Sequence, residues 1–280
     1  MCIAYYNGQF CDYSDVRIPL SDRCIFFGDG IYDAAIGKNG AVYLEEEHID
    51  RFFENANRMD IRLQVSKKEL SELLNEVIRR NGFKQYFLYF QLSRTSSERA
   101  HSYTTDSGSS LLITIKPHKL PDKTKKFKLI TTEDVRYKMC DIKTLNLLPA
   151  VLASKKAEEC GCDEAVFIRD GVVTECAHSN VFIVKDGVVS THPVGPHILP
   201  GITRKRVLYL CRKLGIEYCE KKFSRKDLFS ADEVLITSTS KLCIKASLID
   251  GLEVGCKNAE NSLANAIIDS LEEDFEQLKC

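Results

Sequence analysis

Apolar positions in the first third of the chain recur at helical spacing. Ile49, Phe52, Phe53, Ala56 and Met59 form one stripe, and Leu70, Leu73, Leu74, Val77 and Ile78 form a second. The second stripe follows Ser66 and Glu69, spaced as a capping box, and stops at Gly82, so two amphipathic helices are predicted. Gln85 to Ser93 and Ser110 to Ile115 are rich in aromatic and branched residues and read as strands. Farther on, Phe127 to Thr132 reads as a strand, and Pro149 to Cys160 as a helix stopped by Gly161. Asp170-Gly171 and Asp186-Gly187 each sit between runs of valine, isoleucine and phenylalanine, the pattern of two tight hairpins. Thr203 to Leu214 is helical with Gly215 as its stop. Strand signals return at Glu233 to Thr237 and Leu242 to Leu248, and a last helix spans Asn258 to Gln277.

Between the two halves, Lys116 to Lys126 carries two prolines and a run of like charge, the composition of a linker. The expected organisation is therefore α+β in two domains: a small N-terminal α/β domain over residues 1–118, a linker over 119–125, and a larger C-terminal domain over 126–280. The larger domain carries antiparallel sheet, helices and Lys143. A length of 280 residues suits two modest cores.

Composition narrows the function. A net charge of -1 with 28% charged residues offers no general attraction to nucleic acid or anionic membrane. No stretch approaches the apolar length of a membrane span and the start lacks a basic leader, so a cytoplasmic protein is expected. The 12 cysteines lack a Cys-x-x-Cys pair, and Cys160-Gly-Cys162 is the tightest spacing. They read as reduced, packed thiols rather than a disulfide or metal framework. His48, His118, His192 and His197 show no metal-ligand spacing, and no metal is expected.

One lysine, Lys143, stands among apolar and small polar residues in Met139-Cys-Asp-Ile-Lys-Thr-Leu-Asn-Leu-Leu148. An amine shielded from water becomes a nucleophile near neutral pH, although most lysines only pack their stems and reach solvent. Company elsewhere decides between these readings. The lysine segment resembles that of the fold-type IV pyridoxal-phosphate transaminases. Phe27-Gly-Asp-Gly-Ile-Tyr-Asp33, Glu47-His-Ile-Asp-Arg51, Thr174-Glu175 with Ser179-Asn-Val-Phe182, and Leu199-Pro-Gly-Ile-Thr-Arg204 follow in that family's order. Arg94 to His101 resembles the arginine and histidine pair of its D-amino acid branch.

The resemblance implies pyridoxal 5'-phosphate bonded to Lys143, with Glu175 facing the ring nitrogen. It implies a phosphate cradle of Arg51, Ile202, Thr203, Ser238 and Thr239, with Leu199 also against the cofactor. Gly201-Ile202-Thr203 opens a predicted helix, whose free amides and dipole suit a dianion on physical grounds alone. Tyr32, Arg99 and His101 are implied to seat the substrate carboxylate, the last two reaching the neighbouring subunit of a homodimer. The expected reaction exchanges amino groups between D-amino acids, D-alanine and D-glutamate foremost, and 2-oxo acids such as 2-oxoglutarate and pyruvate. Branched-chain L-amino acid transaminases and aminodeoxychorismate lyases share the fold; Arg99 and His101 argue against both, whereas His178 leaves room for them. A homologue without turnover would need neither Lys143 nor Glu175. Cys176-Ala177-His178 and Lys241-Leu242-Cys243 depart from the branch, as does Asp33, which stands where a longer acid is usual.

Overall fold

The computed structural model describes residues 2–95, 99–104, 108–255 and 262–279. It divides into two compact units, residues 1–119 with 142–146 and 278–280, and residues 120–141 with 147–277.

The first unit is built on a sheet of β1 (Ile3–Tyr6), β2 (Gln9–Asp12), β3 (Gly30–Lys38), β4 (Ala41–Val42), β5 (Gln85–Arg94) and β6 (Ser109–Pro117), in the order β2-β1-β6-β5-β3-β4. Its described pairings are antiparallel, in keeping with the α+β fold expected of the chain. Along β5, Tyr86, Leu88, Phe90 and Leu92 alternate inward and meet Phe52, Leu70, Leu74 and Val77 from α2 (Glu45–Arg58) and α3 (Lys67–Asn81). The capping box at Ser66 and Glu69 and the left-handed Gly82 bound α3 as the sequence predicts. Three glutamates, Glu45, Glu46 and Glu47, occupy the first turn of α2 and suit its dipole, which starts that helix four residues before its apolar stripe. A short helix, α1 (Arg23–Phe27), is capped by Asp22 and closed by the left-handed Gly28.

β4 pairs with β3 only at Gly37 and Lys38, which leaves the other end of that β3 edge with unpaired backbone groups. The Lys143 segment takes this place. Tyr32 N donates to Lys143 O at 3.0 Å, Leu145 N donates to Gly30 O at 3.0 Å, and Ile31 bridges Thr144. The lysine thus packs with the first unit, whereas order along the chain places it in the second. Backbone pairing outweighs sequence proximity here.

The second unit holds β7 (Phe127–Glu133), β8 (Glu164–Arg169), β9 (Val172–Cys176), β10 (Asn180–Lys185), β11 (Val188–Thr191), β12 (Tyr218–Glu220), β13 (Glu233–Ser238), β14 (Leu242–Ile249) and β15 (Leu252–Glu253). They run β12-β11-β10-β13-β14-β7-β8-β9, with β15 on β14. The β11–β12, β14–β7 and β7–β8 pairs are parallel, so the sheet is mixed rather than purely antiparallel. Its central strands are buried on both faces and are apolar at successive positions. Val181, Ile183, Val234 and Ile236 face one core. Phe182, Val184 and Leu235 face the other, against α5 (Ile202–Lys213) and α7 (Leu263–Glu276). The remaining helices are α4 (Leu148–Glu159), with Pro149 in its first turn, and α6 (Arg225–Phe229). Residues 258–261, which begin the last helix as the sequence predicts it, lie outside the described residues.

Both expected hairpin turns have positive φ at their two central residues, and so do Asn7-Gly8, Asn39-Gly40 and Asp250-Gly251. The ten described cysteines are free. Among the described residues, no helix is long and apolar enough to cross a membrane.

Gly30 lets the lysine segment close on β3, since a Cβ there would lie 2.6 Å from Leu92 O and 2.7 Å from Leu145 Cδ1. Gly30→Ala is expected to cost roughly 1–3 kcal/mol of stability, read as a lower urea midpoint at unchanged slope. A midpoint equal to wild type would show that the segment does not need this close approach.

Candidate active site

Lys143 is half-buried in the first unit, its Nζ donating to Tyr32 Oη at 3.2 Å and lying 4.3 Å from the centre of that ring. Tyr32 is itself stacked on Tyr89 at 5.4 Å, so the hydroxyl that meets the amine is held from behind. The next residue on β3 points to the opposite face. Asp33 is 0% exposed and accepts from Arg51 Nε at 2.8 Å, Arg51 Nη2 at 2.9 Å and its neighbour Ala34 N at 2.8 Å. His48 Nδ1 lies 2.8 Å from the same carboxylate. His48 and Arg51 sit three apart on α2, which turns both toward β3. Burial alone would raise the Asp33 pKa, but the Arg51 charge and the His48 hydrogen bond hold it well below the usual carboxylate range. Burial pushes the His48 imidazole down, only partly offset by Asp33. Arg51 is therefore a buried, oriented arginine and not a surface one.

The second unit gathers a different set. Glu175, near the end of β9 and 5% exposed, accepts from Asn180 Nδ2 at 2.9 Å and Leu199 N at 3.0 Å, and from Arg136 Nη1. Arg136 also donates to Asp134 from Nε at 2.9 Å and to His197 O at 3.1 Å. Asp134 receives Arg169 and Thr174 as well. Burial favours the protonated acid at Asp134, but hydrogen bonds from Arg136 and Arg169 bring it to about 2. Burial works against the Arg136 charge and is outweighed by Asp134 and Glu175, which raise its pKa.

Gly201 is the N-cap of α5 and has no side chain to cap it, and the buried Ile202 and Thr203 follow in the first turn. A Cβ on Gly201 would lie 2.2 Å from Asn180 Oδ1, so the helix start is seated on the same asparagine that holds Glu175. Asn180 pairs with Thr237 across β10 and β13, and Ser238 ends β13 with a buried Oγ that has no partner among the described residues. Thr239 stands in the turn that follows. Beside it, buried Glu164 accepts from Lys241 Nζ at 3.1 Å, Ser179 Oγ at 3.0 Å and His178 N at 3.0 Å, and Lys241 Nζ is 2.9 Å from His178 Nε2. The two stretches that depart from the D-amino acid branch therefore meet.

Arg99 and His101 are exposed on the loop after β5. Both lie on Phe27 of α1, the Arg99 guanidinium 5.3 Å and the His101 ring 5.4 Å from its centre. Among the described residues no cluster of acids, histidines and cysteines could hold a metal ion.

Residues 30–249 match the family model for amino-transferase class IV. The chain belongs to the class IV aminotransferases. The D-alanine aminotransferase of Bacillus licheniformis is 38% identical over 272 residues, 94% of this chain and 96% of that protein. The one from Staphylococcus epidermidis is 35% identical over 280 residues, 99% and 98% of the two chains. Among solved structures, the branched-chain aminotransferase of Thermoproteus uzoniensis superposes with a TM-score of 0.89 at 23% identity, covering 97% of this chain and 94% of that one. That likeness shows the fold.

Class IV aminotransferases depend on pyridoxal 5'-phosphate. The residues of this class IV aminotransferase fit such a group. The uncapped start of α5 and the unpartnered Ser238 Oγ suit a phosphate ester, and the carboxylate of Glu175, oriented by three donors, suits a protonated ring nitrogen. Sequence reasoning passed over Arg136, Asp134, Asn180, Glu164 and the Asp33–His48 pair. Asp134-Val135-Arg136 carried a signal, an acid and an arginine two apart at a strand end, and Asn180 stood inside the Ser179–Phe182 motif without a role of its own; Glu164 carried none beyond being polar within an apolar run.

With its folded pKa depressed, His48 binds fewer protons than in the unfolded chain, below the ordinary value of about 6.5. Its contribution makes stability rise with pH through that window and fall as pH drops. His48→Gln keeps a donor for Asp33 without titrating. The variant is expected to lose less stability than wild type between about pH 7 and about pH 5, measured by urea midpoints. Equal losses would remove His48 from the acid response.

Proposed function

We propose that this protein transfers amino groups between D-amino acids, D-alanine and D-glutamate foremost, and 2-oxo acids such as 2-oxoglutarate and pyruvate, as a cytoplasmic homodimer. The observation that carries the reading is the match to D-alanine aminotransferases at 35–38% identity over nearly the whole chain. Branched-chain enzymes match in fold at 22–23%.

Bound pyridoxal phosphate supplies an electron sink for the bonds of the substrate α-carbon. Lys143 Nζ, oriented by Tyr32, is the covalent anchor of the cofactor and the base that moves the α-proton. Glu175 would face the ring nitrogen, and Arg136, Asn180 and Leu199 N keep its carboxylate aimed. By the family's motif order, Arg51, Ile202, Thr203, Ser238 and Thr239 would hold the phosphate. Asp33 occupies two donors of Arg51 and so sets the plane of its guanidinium. Tyr32, Arg99 and His101 seat the substrate carboxylate, the arginine bidentately.

Exposure of Arg99 and His101 supports their reaching a neighbouring subunit. So do Leu20, Ile25, Phe26 and Tyr103, large apolar side chains left exposed around α1 and the same loop.

Purified protein is expected to convert D-alanine with 2-oxoglutarate and not L-alanine, and Lys143→Ala to lose this activity. Arg99→Ala should cost roughly 1.5–3 kcal/mol of binding, or about 10- to 150-fold in kcat/KM for D-alanine, and erode the preference for D over L. Arg99→Lys should rescue little, because an ammonium lacks the planar fork. Product from L-alanine at the D-alanine rate would overturn the assignment. Dilution should remove activity as dimers dissociate, before either unit unfolds. A fully active monomer in light scattering and assay together would refute the shared site.

A further inference from the structure

Residues 99–104, which carry Arg99 and His101, form no helix or strand, yet their backbone is held from one side by a single buried side chain. Arg23 opens α1 and is 5% exposed at its side chain. Its Nε donates to Asp29 Oδ2 at 2.7 Å, which fixes the plane of the guanidinium. Nη1 donates to Ala100 O at 2.6 Å and reaches Ser102 O at 3.5 Å, and Nη2 donates to His101 O at 3.2 Å. Three consecutive carbonyls of the loop therefore converge on one fork. The guanidinium also lies 4.7 Å from the centre of Phe27, the ring on which Arg99 and His101 rest.

Asp29 serves a second arginine as well. Arg94, at the end of β5, donates to Asp29 at 3.1 Å, binds Asp60 O and Met59 O, and packs its guanidinium 3.5 Å from the centre of Tyr103. The two arginines grip the loop through its carbonyls and through its far aromatic.

We propose that Arg23 is the positioning residue of the substrate-carboxylate trap: it orients the peptide planes from Ala100 to Ser102 and thereby sets where the Arg99 and His101 side chains leave the backbone. This rests on the reading of Arg99 and His101 given above. Arg23 does not itself touch substrate. Only a planar group with several N–H bonds in one fork serves three neighbouring carbonyls from one place. Lysine, a point charge, cannot. Because the trap acts on the carboxylate and not on the cofactor, loss of Arg23 raises the KM for D-alanine and leaves cofactor loading as it was.

The test uses dimeric holoenzyme with D- and L-alanine as substrates and cofactor absorbance per subunit as the loading control. Arg23→Met is expected to raise the KM for D-alanine about 10-fold, change kcat by less than about two-fold and lower the D-over-L preference. Placed on Arg99→Ala, the same change should add less than about two-fold, since both substitutions disable one device. Arg23→Lys keeps the charge beside Asp29, and with it the fold should Arg23→Met fail to fold, and still raises KM because the fork is gone. Equal KM effects of Arg23→Met with and without Arg99→Ala would overturn the proposal, as would Arg23 variants with unchanged KM while Arg99→Ala raises it. If Arg99→Ala itself leaves KM and D-over-L preference unchanged, the reading beneath the proposal fails first.

Discussion

A carboxylate withdrawn from water has to be met by charge and by donors, and five acids withdrawn from water in the two units are each met by a base. Asp33 holds Arg51 and His48, Asp29 holds Arg23 and Arg94, Asp134 and Glu175 share Arg136, and Glu164 takes Lys241. Removing one partner from such a pair leaves the other buried and unpaired, which destabilises by several kcal/mol in general. The pairs contribute less to net stability than to direction. Each gives a charged side chain one orientation, in a protein whose cores are otherwise ordinary aliphatic and aromatic packing.

The same economy of means holds for the backbone. Gly30 and Gly201 stand where a side chain would collide, one with Leu92 O and Leu145, the other with Asn180. The first admits the strand-like segment that carries Lys143, and the second seats the start of α5 on the residue that holds Glu175. A one-atom difference at either position reaches chemistry by displacing a neighbour already committed to a hydrogen bond.

Fold and specificity are separable. Branched-chain aminotransferases superpose on this chain over nearly their whole length at 22–23% identity, so the sheets and helices do not choose the substrate. The Arg99–His101 loop, and the pair of turns joined by His178, Lys241 and Glu164, lie outside those strands and helices. Both are held by buried charged side chains, Arg23 for the loop and Glu164 for the turns.

Much of this was legible along the chain. Helical stripes, the capping box at Ser66 and the Asp-Gly hairpins are local patterns, and local patterns follow from backbone preference and periodicity. The motif order around Lys143, Glu175 and Gly201-Ile202-Thr203 marked the family and its cofactor. The same hairpin signal is present at Asn7-Gly8, Asn39-Gly40 and Asp250-Gly251, and the backbone turns there in the same way. Tertiary structure alone decided the rest. That Lys143 pairs with β3 depends on an edge left open by β4, a fact about strands more than a hundred residues away. That Asp29 and Asp33, four apart and both acidic, anchor different arginines depends on what packs beside each, α1 and the end of β5 at Asp29 and α2 at Asp33, and that His178 meets Lys241 depends on strand register. Periodicity tells which face a residue occupies within its own element, but the partner across the gap is set by how elements pack, and that no single stretch of sequence contains.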